Sequence, residues 1–201
     1  MAYELKRIRA DGKKTARIAV IGEAGGREER IKLRPFVGWS GRTLSSWWSL
    51  AGLKRSDVWL DNVYPFTPPI KGGAPRLEMV HPDDLKFWMA DLHDRLAQLR
   101  DVNVIVPVGD LALKAVMGMK GITKYRGSIL TYPQNEKVKV IPTLHPAYTA
   151  RRPLYAKSCI ADWKRIAEEA KTSEIVLPQR EYLTHPTIDD IEWFYSSWIQ
   201  F

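Results

Sequence analysis

Residues able to do chemistry in this chain gather where apolar runs end. RIAVIG (17–22) feeds the glycine turn GEAGG (22–26), which holds the carboxylate of Glu23, and Glu28, Glu29 and Arg34-Pro35-Phe36 follow closely. The run DVWLDNV (57–63) carries Asn62, whose amide offers both a hydrogen-bond donor and an acceptor. KVKVIPTL (137–144) ends at His145-Pro146. Gly25 and Gly26 permit close approach of a phosphate to the backbone. The helical pattern 110–118, entered through Gly109, offers its N-terminus to an anion, with Asp110 as the competing cap. This equipment suits a ligand site, but GEAGG lacks the Gly-Lys-Ser/Thr of a nucleotide phosphate loop.

The elements that must position these groups follow from periodicity. RIAVIG (17–22), DVWLDNV (57–63), NVIVPVG (103–109) and KVKVIPTL (137–144) read as strands. Between and after them, 41–53, 82–100, 110–118 and 155–171 read as helices. Leu44, Trp47, Trp48 and Ala51 form one apolar stripe, and Leu85, Trp88, Met89, Leu92, Leu96 and Leu99 another. Alternating strands and helices predict a three-layer α/β/α fold around a central, mostly parallel four-stranded sheet. In such sheets ligands bind beyond the carboxyl ends of the strands. The segments GEAGGREE, NVYPFTPP, GDLAL and LHPAYTARR therefore converge as loops on one rim. Residues 1–171 are expected to form this domain. Residues 172–201, punctuated by Pro178 and Pro186 and then acidic and aromatic, read as a linker and docking tail.

Charge narrows the partners. The net charge is +8, and residues 120–165 alone carry ten Lys/Arg against Glu136 and Asp162. Residues 166–201 reverse the sign, with seven acids against Lys171 and Arg180. A basic body suits a polyanion such as nucleic acid, or simply a soluble surface. Cys159 is the only cysteine, which excludes intrachain disulfides and cysteine-rich metal sites, and four scattered histidines argue against zinc. No eighteen-residue apolar run or signal-like apolar core is present, so a cytoplasmic or nucleoid-associated location is expected, with no membrane partner.

Taken together and in order, the four loops resemble the uracil-DNA glycosylase superfamily, most closely its family-4 branch. The family pattern GEAPG, an acidic pair and GRPFVGxAGxLL stands here as GEAGG (22–26), Glu28-Glu29 and LRPFVGWSGRTL (33–44). Its TNV…RPP segment stands as DNVYPFTPP (61–69), its LGxxAxxALLG helix as VGDLALKAVMG (108–118), ITKLRG as ITKYRG (122–127), and HPSxLLR as HPAYTAR (145–151). The likeness runs from about residue 17 to residue 170.

The resemblance implies hydrolysis of the bond joining a base to deoxyribose after the base is flipped from the strand. It places Phe36 under the flipped base, Asn62 on the uracil edge, and His145 at the uracil O2, where negative charge develops. Gly22, Ala24 and Gly25 line the base site. Glu23 sits in the water-holding loop, with Glu29 as a further catalytic candidate and Glu28 as a solvated acid. Gly26, Gly109, Lys124, Arg126, Arg151 and Arg152 are expected on DNA. Ala24 stands where other branches carry an acid. Thr149 and Ala150 replace the family's leucine wedge, leaving Tyr148 as the bulky candidate, and weak wedging favours single-stranded substrate. The family's four-cysteine iron–sulfur cluster cannot form: Phe66 stands at one ligand position, and Phe66, Trp59 and Tyr64 are expected to secure the region. No cofactor is implied. Gly25 in place of the motif proline is expected to loosen the loop. A reading from a different class is a glycosylase-shaped DNA-binding or processivity module attached to a replication enzyme, with residues 172–201 as its contact to a polymerase partner.

Overall fold

A computed structural model describes residues 6–176 and 185–198; the remainder of the tail lies outside the described residues. Its centre is a parallel array of β1 (Ile18–Ala24), β2 (Val58–Tyr64), β5 (Val104–Pro107) and β7 (Asn135–Val140). The sheet order is β2-β1-β5-β7-β6, in which β6 (Leu130–Tyr132) is antiparallel to β7. The sheet thus has five strands, not four. β6 escapes periodicity because it is three residues long, half-exposed and on the edge. A separate hairpin pairs β3 (Ile70–Lys71) with β4 (Ala74–Pro75).

Alternation along β1 divides the core into two layers. Ile18 and Val20 pack with Leu44, Trp47 and Trp48 of α2 (Trp39–Ser49) and with Trp163 and Ile166 of α7 (Tyr155–Glu169). Ala19 and Ile21 pack with Leu92 and Leu96 of α3 (Pro82–Ala97) and with Ala112 and Val116 of α4 (Asp110–Met117). Parallel strands covered on both faces are apolar throughout, as in IAVI of β1 and VIVP of β5, while β7 buries Lys139 by pairing it with Glu169. Short helices α1 (Arg27–Lys32), α5 (Ile122–Tyr125) and α6 (Pro146–Arg151) line the rim. The segment after His145, expected as a loop, is therefore one helical turn and a half. In the tail, α8 (Ile188–Trp198) is capped by Thr187, whose Oγ1 accepts from Asp190 N and whose N–H donates to Asp190 Oδ2. Ile191, Trp193 and Tyr195 on it are exposed.

β2 is a sheet edge, and near the site the backbone groups of Leu60 and Asn62 find partners outside the sheet. Leu60 exchanges two backbone hydrogen bonds with Asp11 of the N-terminal segment, and Ile8 N–H donates to Pro65 O. Beyond Leu60 the edge is closed by side chains. Asp61 Oδ1 accepts from Asn62 N at 2.8 Å, and Arg95 Nη1 donates to Asn62 O at 3.1 Å. Arg95 also pairs with the buried Asp61 carboxylate and, at 2.7 Å, with Asp91. Both backbone polar groups of Asn62 are thereby fixed. Arg95→Ala strands a buried carboxylate and is expected to cost about 3–5 kcal/mol, read as a lower denaturant midpoint at unchanged slope.

Candidate active site at the carboxyl rim of the sheet

The parallel strands deliver Gly22–Ala24 and Asn62 to the same rim, in register at Gly22 and Asn62. A cleft of about 500 Å³ opens there, lined by Gly22, Glu23, Ala24, Gly25, Gly26, Glu28, Glu29, Phe36, Asn62 and His145. The fit is close at its floor. A Cβ on Gly22 would collide with Asn62 Oδ1 and stand 2.7 Å from Phe36 Cζ.

Phe36 is held in an unusual pose, with φ +53°. Its backbone is clamped by Arg55, which donates to Phe36 O at 3.0 Å and Pro35 O at 2.7 Å. Arg55 is anchored on Asp11 at 2.6 Å. Burial opposes ionisation of Asp11, but hydrogen bonds from Arg55 and Arg34 outweigh it and hold the carboxyl below the usual range. A guanidinium held on two carbonyls and a carboxylate offsets the left-handed backbone of an aromatic residue.

Glu23 reaches across the rim to the first turn of α4, where its Oε1 accepts from Leu111 N at 3.3 Å. Burial pushes its carboxyl above the usual range; the Leu111 hydrogen bond opposes this and Asp110 adds to it. Gly109 (φ +99°) makes room for it: a Cβ there would lie 2.5 Å from Glu23 Oε1 and 3.4 Å from His145 Cβ. His145 caps α6 through Nδ1, which accepts from Ala147 N at 3.2 Å. An accepting Nδ1 places the proton of the neutral ring on Nε2. Burial, reinforced by Arg151, pushes His145 down to about 4, so the imidazole is neutral at pH 7.

Other expected residues have different work. Glu29 is buried with both oxygens engaged, accepting from Gly26 N at 2.6 Å and Gly38 N at 3.1 Å. It braces the two loops, each of its oxygens accepting one backbone N–H. Glu28 is paired with Arg42 at 2.9 Å. Gly109 is not an open phosphate cradle: its N–H goes to Thr143 O, and Glu23 fills the α4 terminus. Asp110 instead caps α5, accepting from Gly121 N and Ile122 N. Arg126, expected on DNA, turns inward and donates to Asp162 and to Ser158 O. Tyr148 stacks edge-on with Tyr155 and lies under Arg152, which keeps it from projecting as a wedge. The exposed apolar residue of that segment is Leu154. Lys124, Arg151 and Arg152 remain exposed.

Gly25 does not loosen its loop. Its N–H donates to Phe66 O at 3.2 Å, which a proline cannot do, and Ile8 packs where a Cβ would stand. Where the family pattern calls for the cluster, Phe66 packs against Tyr64 and Trp88 at ring separations of 5.5 and 5.3 Å, with Arg7 over Trp88 at 5.0 Å. Trp59 lies apart, in the core under α3. The lone Cys159 is buried between sheet and α7, so the residues present do not fit a four-cysteine cluster. Sequence reasoning missed Arg55 and Arg95, whose partners are distant along the chain. It also missed Trp39, an exposed tryptophan lining the cleft, although its position off the apolar stripe of α2 was a usable signal.

With this geometry in place, comparison with known proteins is decisive. The family model described as the uracil DNA glycosylase superfamily matches residues 10–167. The chain belongs to that superfamily. It is 31% identical over 163 residues to a type-4 uracil-DNA glycosylase of Archaeoglobus fulgidus, covering 78% of each chain. It is 35% identical over 145 residues to one of Thermotoga maritima, covering 70% of each. A DNA polymerase of Bacillus phage SP01 is 29% identical over 177 residues, which is 87% of this chain but 18% of the polymerase. Superfamily membership accounts for the common rim, while Gly25 marks a local departure. Restoring the motif proline by Gly25→Pro is expected to lower stability by about 1–3 kcal/mol, by stranding the Phe66 carbonyl, and to lower activity with it; thermal melting and turnover read the two.

Proposed function

We propose that the chain hydrolyses the N-glycosidic bond of uracil in DNA by base flipping, leaving an abasic site. The observation that carries this reading is the meeting of Phe36, Asn62, Glu23 and His145 in one cleft. The flipped uracil stacks on Phe36 and is read by the Asn62 amide, with Gly22, Ala24 and Gly25 allowing close approach. As the C1′–N1 bond breaks, its electron pair passes to the base, and His145 Nε2–H donates to the O2 that gains charge. A neutral donor serves without a proton having to be lost first. Glu23 steadies the cationic sugar and orients water, taking its proton as oxygen adds to C1′; a raised carboxyl is the better acceptor. Lys124, Arg151 and Arg152 hold phosphates, whereas the Gly26 N–H is already given to Glu29. With Tyr148 held back, single-stranded DNA is the favoured form.

The test is a uracil-containing oligonucleotide followed by alkaline cleavage of abasic sites. Asn62→Ala and His145→Ala are each expected to lower kcat at least about a hundredfold, while Glu28→Ala keeps near-normal rates. The pH profile separates the two titrating groups. Activity needs Glu23 ionised and His145 neutral, so kcat/KM is expected to fall on acidification, first as the Glu23 carboxyl, raised by burial, takes up a proton. Protonation of His145 contributes only near pH 4. A break at pH 6.5 that persists in Glu23→Gln would remove His145 from this role. Glu23→Gln is expected to abolish the upper acid limb.

A second reading is favoured by the polymerase match, in which a segment like this chain forms a minor part of a replication enzyme. A DNA-binding module contacting a polymerase through residues 172–201 would use the exposed aromatic side of α8. Tight DNA binding without cleavage in any uracil context would favour it.

A further inference from the structure

Trp39 is not used by the chemistry above. Its fellow tryptophans Trp47, Trp48, Trp59 and Trp163 are buried, yet Trp39 is 49% exposed at the first turn of α2. It lines the same cleft as Phe36, Asn62 and His145. Its position is not loose: the preceding Gly38 donates its N–H to buried Glu29 and accepts from Arg42 N. Pro75 and Leu77 line the cleft with it, and exposed Arg27 adds a cation. The cleft, about 500 Å³, falls in the range that holds a ligand much larger than one pyrimidine ring. An exposed indole on a braced backbone, beside a site with room to spare, is what a second planar ring would stack on.

We propose that Trp39 is the stacking platform for a nucleobase adjacent to the extruded uracil, so that the cleft holds two consecutive bases of a single strand. The inference rests on the uracil-flipping reading of the cleft. Stacking on an aromatic face is tolerant of base identity, because every base presents a π-surface. It also selects strand form. A neighbour still paired in a duplex is held in its own stack and is not free to turn onto Trp39.

The experiment is a binding cycle with single-stranded oligonucleotides carrying 2′-fluoro-2′-deoxyuridine, whose fluorine suppresses cleavage. Each neighbouring base is deleted in turn by a tetrahydrofuran abasic unit. Deleting one of the two neighbours is expected to weaken binding by wild-type protein about tenfold. Trp39→Ala should lose about tenfold on the intact strand and then be indifferent to that deletion, while Trp39→Phe retains most of the affinity. Penalties that simply multiply, or a Trp39→Ala protein that binds as wild type, would overturn the proposal. Thermal melting of the variants checks their fold. The two readings fail separately: coupling without cleavage of an unmodified uracil strand defeats the glycosylase reading alone, and cleavage without coupling defeats only the role of Trp39.

Discussion

The Arg95 guanidinium, set between Asp61 and Asp91 and turned onto the carbonyls of Asn62 and Val63, is the constraint on which the site depends. β2 lies at the sheet edge, where unpaired backbone groups invite slippage or foreign strands. An apolar side chain could cover that edge but could not satisfy it. Two carboxylates and a cation can, at the cost of desolvating charge, and the return is a fixed backbone beneath Asn62. The same solution recurs at Phe36, where Arg55 on Asp11 holds two carbonyls. The Phe36 ring and the Asn62 amide thus each rest on backbone held by an arginine outside the cleft.

Much of this was legible in the sequence because buried parallel strands must be apolar and must end in permissive turns. The four principal strands, the three long helices of the domain and the convergence of the loops follow from that rule once the loops are read together, and the family resemblance singled out Glu23, Phe36, Asn62 and His145 at their rim. What escaped was pairing. A sequence shows that Arg126 is charged but not that Asp162, on another helix, takes it up. It shows that α4 begins after a glycine, but not that Glu23, remote along the chain, already occupies that terminus. Glu29 read as an acid near chemistry, and its burial between two loop amides makes it a brace. β6 was invisible for a simpler reason: three residues at an edge carry no period.

Losing the cysteines of the family pattern did not leave this region open. Phe66, Tyr64, Trp88 and Phe87 form a chain of tilted and edge-on ring contacts, capped by the Arg7 cation. Such contacts are weaker and less directional than metal–thiolate bonds, but they need neither assembly nor a particular redox state. They tie the start of the chain, the segment after β2 and the first half of α3 into one unit.

That unit includes the N-terminal segment, and its route has a consequence. Residues 8–11 run along the open side of β2, and Ile8 ends against Gly25, in the turn that carries Glu23. The segment of residues 8–11 is therefore a tether on the turn that carries Glu23. A load carried by this segment reaches the Glu23 turn through a single side chain, that of Ile8.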